Sequence, residues 1–299
     1  MIFRGKYAII QERKMITVDE NRNSNISSEH SEELLNIIEN FRLMDDTFMS
    51  KVFEDKACAE LLLRVILNRD DLTVVKVVSQ FELKNLQGRS ARLDIYAVDE
   101  HGKQYDVEVQ RSDDGAAPRC ARYNSSLLDA NLLNPGDKFD ELPESYIIFI
   151  TEHDVLKGGK PLYTVNRTIS ELNHAIFTDG SHIIYVNGEI RNGTALGELM
   201  QDFFCKDPRE MHYKVLSDRA DYFKKDKEGV DTMCKLMEDY ADKRARQAAE
   251  AAAEKAAKER SISIATNLWN KGERDLQQIA DLTDLPLDEV KKLFEGKTA

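Results

Sequence analysis

The stretch Arg92–Arg111, RLDIYAVDEHGKQYDVEVQR, decides how the rest of the chain is read. Residues 92–98 and 103–110 alternate polar and apolar side chains and are rich in Val, Ile and Tyr, the period of a half-buried strand. Between them Asp99-Glu100-His101-Gly102 supplies turn chemistry. A three-residue loop over Glu100-His101-Gly102, with Gly102 left-handed, predicts an antiparallel hairpin in which Asp99 faces Lys103 and Asp94 faces Glu108. Directly opposed side chains in such a pair have Cβ atoms roughly 5 Å apart, so two carboxylates there repel one another. A divalent cation is the simplest compensation, and oxygen donors from two strands suit Mg²⁺, with Mn²⁺ as an alternative. The competing reading is that both acids sit on a solvated face, as polar residues of a one-sided sheet commonly do.

Outward from the hairpin, the pattern is that of a mixed sheet flanked by helices. FEDKACAELLLRVILN (53–68) carries an amphipathic helix, and TVVKVVSQF (73–81) is β-branched and predicts a strand. Pro118 opens a helix running to about Leu133, stopped by Asn134-Pro135-Gly136. Short apolar runs at 146–151 and 182–186 predict two buried strands, and GTALGELMQDFF (193–204) another amphipathic helix. At the N-terminal side NRNSNISS reads as a polar linker, with Ser28 capping a short helix over 29–41. Helix, strands, helix, strand is an α/β or α+β order.

Asp94, thirteen intervening residues and then Glu108-Val109-Gln110 resembles the D…(D/E)-x-K signature of the PD-(D/E)XK nuclease superfamily. The branch most similar is that of the recombination-promoting nucleases, a transposase-related group. LMDDTFMSKVFEDK (43–56), LDI, VEVQR, PRCARYNSSLLDANLL (118–133) and ELPESYIIFIT (141–151) carry the resemblance, which spans about 41–213. It implies a restriction-endonuclease-like α/β core and a Mg²⁺-dependent DNA endonuclease linked to recombination or mobile elements. Asp94, Glu108 and the main-chain carbonyl of Val109 would hold the metal, with Gln110 catalytic beside them and Glu60 as the upstream acid. Gln110 departs from the Lys of many members, and its amide neither takes nor gives a proton at neutral pH.

Phosphate-binding groups are expected just after the acids. Arg111, Arg119 and Arg122 follow them, and Arg119 and Arg122 share a helix face with Tyr123 beside them. Guanidinium forks suit phosphate and a phenol ring suits base stacking; internal pairing of these arginines, with Asp113 and Asp114 for example, is the alternative. Lys84 and Arg89 extend the basic edge. The formal charge of −12 on 299 residues opposes non-specific attraction to DNA, so a local basic surface must supply it.

Other chemistries find little support. His101, His153 and His182 lack metal-ligand spacing, and there is no P-loop, G-x-S-x-G or C-x-x-C motif. Four scattered cysteines point to reduced thiols and a cytoplasmic protein. No apolar run reaches the roughly 20 residues of a membrane span, and MIFRGKYAIIQERK has no cleavage site of a secretion signal. The expected domains are an N-terminal extension (1–40), the nuclease-like domain (41–215), a helical spacer (216–260) rich in Ala, Glu, Lys and Arg, and a helix-turn-helix-like tail (261–299). A tail that binds DNA is opposed by Asp288 and Glu289 at the start of its second helix. Two further readings stay open: a nuclease scaffold retained for binding or assembly without catalysis, and a homodimer.

Overall fold

The computed structural model describes residues 32–85 and 88–295. The expected N-terminal linker and the Ser28 cap fall outside them. The chain divides into two compact units, 1–235 and 236–299.

In the first unit the hairpin forms with the expected register. Strand β1 (Val74–Leu83) pairs antiparallel with β2 (Ala91–Asp99), and β2 with β3 (Gln104–Gln110). Gly102 is left-handed at φ +79°, a conformation that costs a glycine little. Asp99 organises this turn. Its Oδ1 accepts from the amides of His101 and Lys103, each at 2.9 Å, and its Oδ2 accepts from the Tyr105 hydroxyl at 2.8 Å. Asp99 and Tyr105 are both buried. Asp99→Ala removes three hydrogen bonds at once and is expected to destabilise the protein by about 2–4 kcal/mol in urea unfolding. A loss under ~0.5 kcal/mol would show that the turn does not depend on this carboxylate.

The β3 strand continues the sheet in parallel with β4 (Ser145–Thr151), which pairs in parallel with β8 (Ser181–Asn187). Parallel neighbours need a crossover, and helix α4 (Pro118–Leu132) supplies it between β3 and β4. β5 (Leu162–Val165) closes the far edge antiparallel to β8, giving the order β1-β2-β3-β4-β8-β5. A separate small hairpin joins β6 (Thr168–Ile169) to β7 (Ala175–Ile176). The central strand β4 is a near-continuous apolar run, with Ile147, Ile148, Phe149 and Ile150 all fully buried, whereas β3 alternates apolar residues with buried polar ones.

One face packs on α4 through Ala121, Leu127 and Leu128 with Tyr96, Phe149 and Tyr185. Helices α1 (32–40), α2 (Asp46–Val52), α3 (Lys56–Leu67), α5 (Ala195–Phe204) and α6 (Lys214–Lys225) complete this unit. Asp55 caps α3 by accepting from the amides of Ala57 and Cys58. The result is a six-strand mixed α/β sheet flanked by helices, consistent with a restriction-endonuclease-like fold.

Helix α7 (Lys227–Asn270) runs 44 residues, and its Ala-rich middle is exposed. In the second unit its end packs with α8 (Leu276–Thr283) and α9 (Leu287–Phe294) around Ala265, Ile279, Leu285, Val290 and Phe294. Trp269 stacks on Phe294 with ring centroids 4.4 Å apart. Asp284 is left-handed between α8 and α9, and Pro286 stands at the N-cap of α9. Among the described residues no helix is long and apolar enough to cross a membrane, and Cys58, Cys120, Cys205 and Cys234 form no disulfide.

Candidate active site

The site forms where the hairpin strands part. Bridged pairs of β2 and β3 run from Val98↔Gln104 to Ile95↔Val107 and stop there, one step before Asp94 and Glu108. Beyond that point the Asp94 side chain takes over: its Oδ2 accepts from the Val109 amide at 3.1 Å. On the other side Gln80, in β1, adopts φ +54° and donates to Asp94 Oδ1 at 3.4 Å. A left-handed non-glycine residue inside a strand breaks the side-chain alternation. The neighbouring strand registers the break, because Leu93 and Tyr96, three apart, pack into the same cluster. In an undistorted strand they would point to opposite faces. Asp94 sits at the change of face.

Consequently the two acids open on different cavities. Asp94 lines one of about 430 Å³ with Asp45, Asp46, Thr47 and Arg111. Glu108 lines one of about 630 Å³ with Arg89, Arg92, Arg119, Cys120 and Asn124. Gln110 lines both, so it stands at their boundary. Its Nε2 donates to Glu108 Oε2 at 3.3 Å, leaving Glu108 Oε1 buried and without a hydrogen-bond partner among the described residues.

A third acid, Asp106, lies two residues before Glu108 on the same face of β3. It is 0% exposed, and neither of its carboxylate oxygens has a hydrogen-bond partner among the described residues. Its polar neighbours are Glu108 and Asn124. Burial pushes Asp106 well above the usual carboxylate range. Burial does the same to Glu108, helped by the charges of Asp106 and Asp94. Burial also lifts Asp94 to about 6, with Asp46 adding to the rise and the Val109 amide and Arg92 opposing it. Desolvated acids that raise one another in this way need positive charge or protons.

The remaining expected residues divide. Arg119 lines the Glu108 cavity; Arg119 and Arg122 are exposed and make no ion pair among the described residues, with Asp113 and Asp114 or any other acid. Arg111 is committed within the fold, at 2.9 Å from Asp45 and 3.3 Å from Glu152. Tyr123 donates through its hydroxyl to the Arg89 carbonyl and accepts from Asn85 Nδ2 at 3.2 Å. Val109 is buried between the two acids.

Glu60 is not brought to the site. Its Oε2 accepts from the Val74 amide at 2.9 Å and its Oε1 pairs with Arg64 at 2.8 Å. Val74 is opposite Asp99, five strand residues from Asp94, which is roughly 17 Å at ~3.4 Å per residue. Glu60 ties α3 to the start of β1, whereas Asp46 of α2 lines the same cavity as Asp94 and is near enough to raise it.

Asp46, Asp106, Asn124 and Arg92 were not singled out in the sequence. Asp106 carried a signal: in a strand with period two, positions 106, 108 and 110 share a face. Asp46 carried none, since its proximity depends on how α2 docks.

Gly115 reinforces the placement of Gln110. A Cβ added at Gly115 would stand 2.0 Å from Gln110 Oε1. Gly115→Ala is therefore expected to push the amide off Glu108 and lower activity about 10- to 100-fold with little loss of stability. Unchanged activity in a folded Gly115→Ala protein would remove Gln110 from the working arrangement.

The carboxylates suit a divalent cation. They are hard oxygen donors, and Glu108 Oε1 is buried with only the Asp106 carboxyl beside it. Among the described residues no group of three or more His, Cys, Asp or Glu side chains is arranged as a complete ligand set. A cation held by Asp94 and Glu108 would take its other ligands from main chain, water or substrate, as Mg²⁺ habitually does.

Residues 48–195 match the family described as PD-(D/E)XK nuclease family transposase. This domain belongs to the PD-(D/E)XK nuclease family. The matched residues begin in α2, include the whole hairpin and α4, and end at the first residue of α5. PD-(D/E)XK nucleases generally use divalent metal ions, in keeping with the buried acids of this domain. No curated protein and no solved structure matches the chain.

Proposed function

We propose that this PD-(D/E)XK family protein is a divalent-metal-dependent DNA endonuclease that hydrolyses phosphodiester bonds. The observation carrying this reading is the juxtaposition, at the parting of β2 and β3, of buried acids with a cavity lined by three arginines.

Asp94 and Glu108 would hold Mg²⁺ or Mn²⁺, with the Val109 carbonyl a further oxygen. When bound, the cation polarises a phosphate oxygen and lowers the pKa of a coordinated water. Gln110 fixes one oxygen of Glu108 through its amide and leaves the other free to bind. Arg89, Arg92 and Arg119 offer forked donors to non-bridging phosphate oxygens. Arg119 lies in the first turn of α4, whose N-terminus adds its own positive field. This local charge answers the net −12 of the chain, since the phosphate backbone meets the cavity rather than the average surface.

Incubation of supercoiled plasmid with the full chain is expected to give nicked or linear product in Mg²⁺ or Mn²⁺ and none in EDTA. Intact plasmid under every divalent condition would overturn the endonuclease reading in favour of a scaffold without catalysis.

A further inference from the structure

The Glu108 cavity continues past Tyr123 into a second one of about 570 Å³, lined by Lys84, Asn85, Tyr123, Ser126, Leu127, Ala130 and Asn131. The two share the Tyr123 side chain as a common wall. We propose that this second cavity holds an unpaired nucleobase next to the scissile phosphate, stacked on Tyr123, so that the preferred substrate is single-stranded or locally melted DNA. The proposal rests on the nuclease reading and narrows its substrate.

Three features support it. First, the Tyr123 hydroxyl is held from two sides, by the Arg89 carbonyl and Asn85 Nδ2, while the residue stays 38% exposed. A phenol tethered at its tip offers a ring that loses little freedom on stacking, and every base has a face to stack. Second, the cavity beyond the ring changes character. The Glu108 side carries Arg89, Arg92 and Arg119; the far side carries the amides of Asn85 and Asn131, the Ser126 hydroxyl and the apolar Leu127 and Ala130. Charged groups suit a phosphate, whereas amides beside apolar surface suit the edge and face of a base. Its volume is in the range of small-ligand sites. Third, Lys84 at the outer end makes no ion pair among the described residues and can meet the next phosphate.

A paired base cannot reach this wall, because in a duplex its face is covered by its neighbours and its edge by its partner. A strand laid along α4 with its phosphate at Arg119 would have to present the adjacent base unpaired.

Fluorescence anisotropy tests this on the full-length protein carrying Glu108→Gln, which keeps DNA uncut. The probes are a labelled oligo-dT and a labelled hairpin duplex, each in Ca²⁺. The oligo-dT is expected to bind more tightly than the duplex. Tyr123→Ala should weaken oligo-dT binding about tenfold and leave duplex binding within about twofold. Tyr123→Phe, which keeps the ring, should retain most of the single-strand affinity. Circular dichroism of each variant establishes that it is folded. Equal or tighter duplex binding by the parent, or a Tyr123→Ala protein that binds oligo-dT as the parent does, would overturn this inference while leaving the endonuclease reading standing. Binding of neither probe would overturn both.

Discussion

Asp94→Asn and Glu108→Gln are each expected to cut the rate of DNA cleavage by about 10³-fold or more while the protein remains folded. Both substitutions keep the shape of the side chain and remove its charge. The structural cost is small because neither acid supports the fold through an ion pair: Asp94 accepts from Val109 at Oδ2 and from Gln80 at Oδ1, of which Asn keeps the Val109 bond and loses the longer one, and the Glu108 oxygen that accepts from Gln110 is kept by Gln. Each change also relieves the mutual repulsion of buried carboxylates, so cation-free stability should rise rather than fall. A paired outcome of lost cleavage and raised melting temperature separates a functional acid from a structural one. Cleavage at the parental rate by both folded variants would place the chemistry elsewhere.

The second large effect is a pH dependence with an unusual sign. Carboxylates that form ion pairs have lowered folded-state pKa values, and their proteins lose stability as pH falls. Here the acids are raised, Asp94 from 3.8 to about 6, and Glu108 and Asp106 well above their ordinary range. Between the unfolded and folded pKa values the folded chain holds more protons than the unfolded one, so stability falls as pH rises. For Asp94 alone the shift corresponds to about 3 kcal/mol, lost from about pH 4 to above 6. A divalent cation binds the ionised acids and offsets this loss. Melting temperatures in EDTA should therefore decline from about pH 5 to 8, and the increment given by Mg²⁺ or Mn²⁺ should grow over the same interval. An EDTA profile that rises through this window, or a cation increment independent of pH, would contradict it.

How much of this was legible beforehand follows from which forces are local. The hairpin was readable because its determinants lie within twenty residues: period-two alternation, Gly102 at a left-handed position and Asp99 beside it to bind the loop amides. The limits of α4 were readable from Pro118 and Asn134-Pro135-Gly136. The edge strand β5 and the small β6–β7 hairpin were missed, because four- and two-residue strands leave too few positions for a period to show. At the site, sequence spacing supplied the opposed positions 94 and 108 but not the break at Gln80 that turns Asp94 toward Asp46. The family resemblance assigned the upstream acid to Glu60 on the early helix. Tertiary packing instead hands Glu60 to Arg64 and the Val74 amide. Arg111 went the same way, toward Asp45 and Glu152, acids that are 66 and 41 positions away along the chain. Which charges meet across such separations is set by the docking of α2 and the end of β4, and no local pattern encodes it.

The proposed endonuclease requires Asp94 and Glu108 to share one cation although each opens on its own cavity. A crystal soaked in Mn²⁺ and measured for anomalous scattering reads this directly. The predicted result is a peak within roughly 2 Å of a carboxylate oxygen from each of the two residues. A peak on Asp94 and Asp46 that leaves Glu108 unbound, or no peak at the parting of β2 and β3, would contradict it.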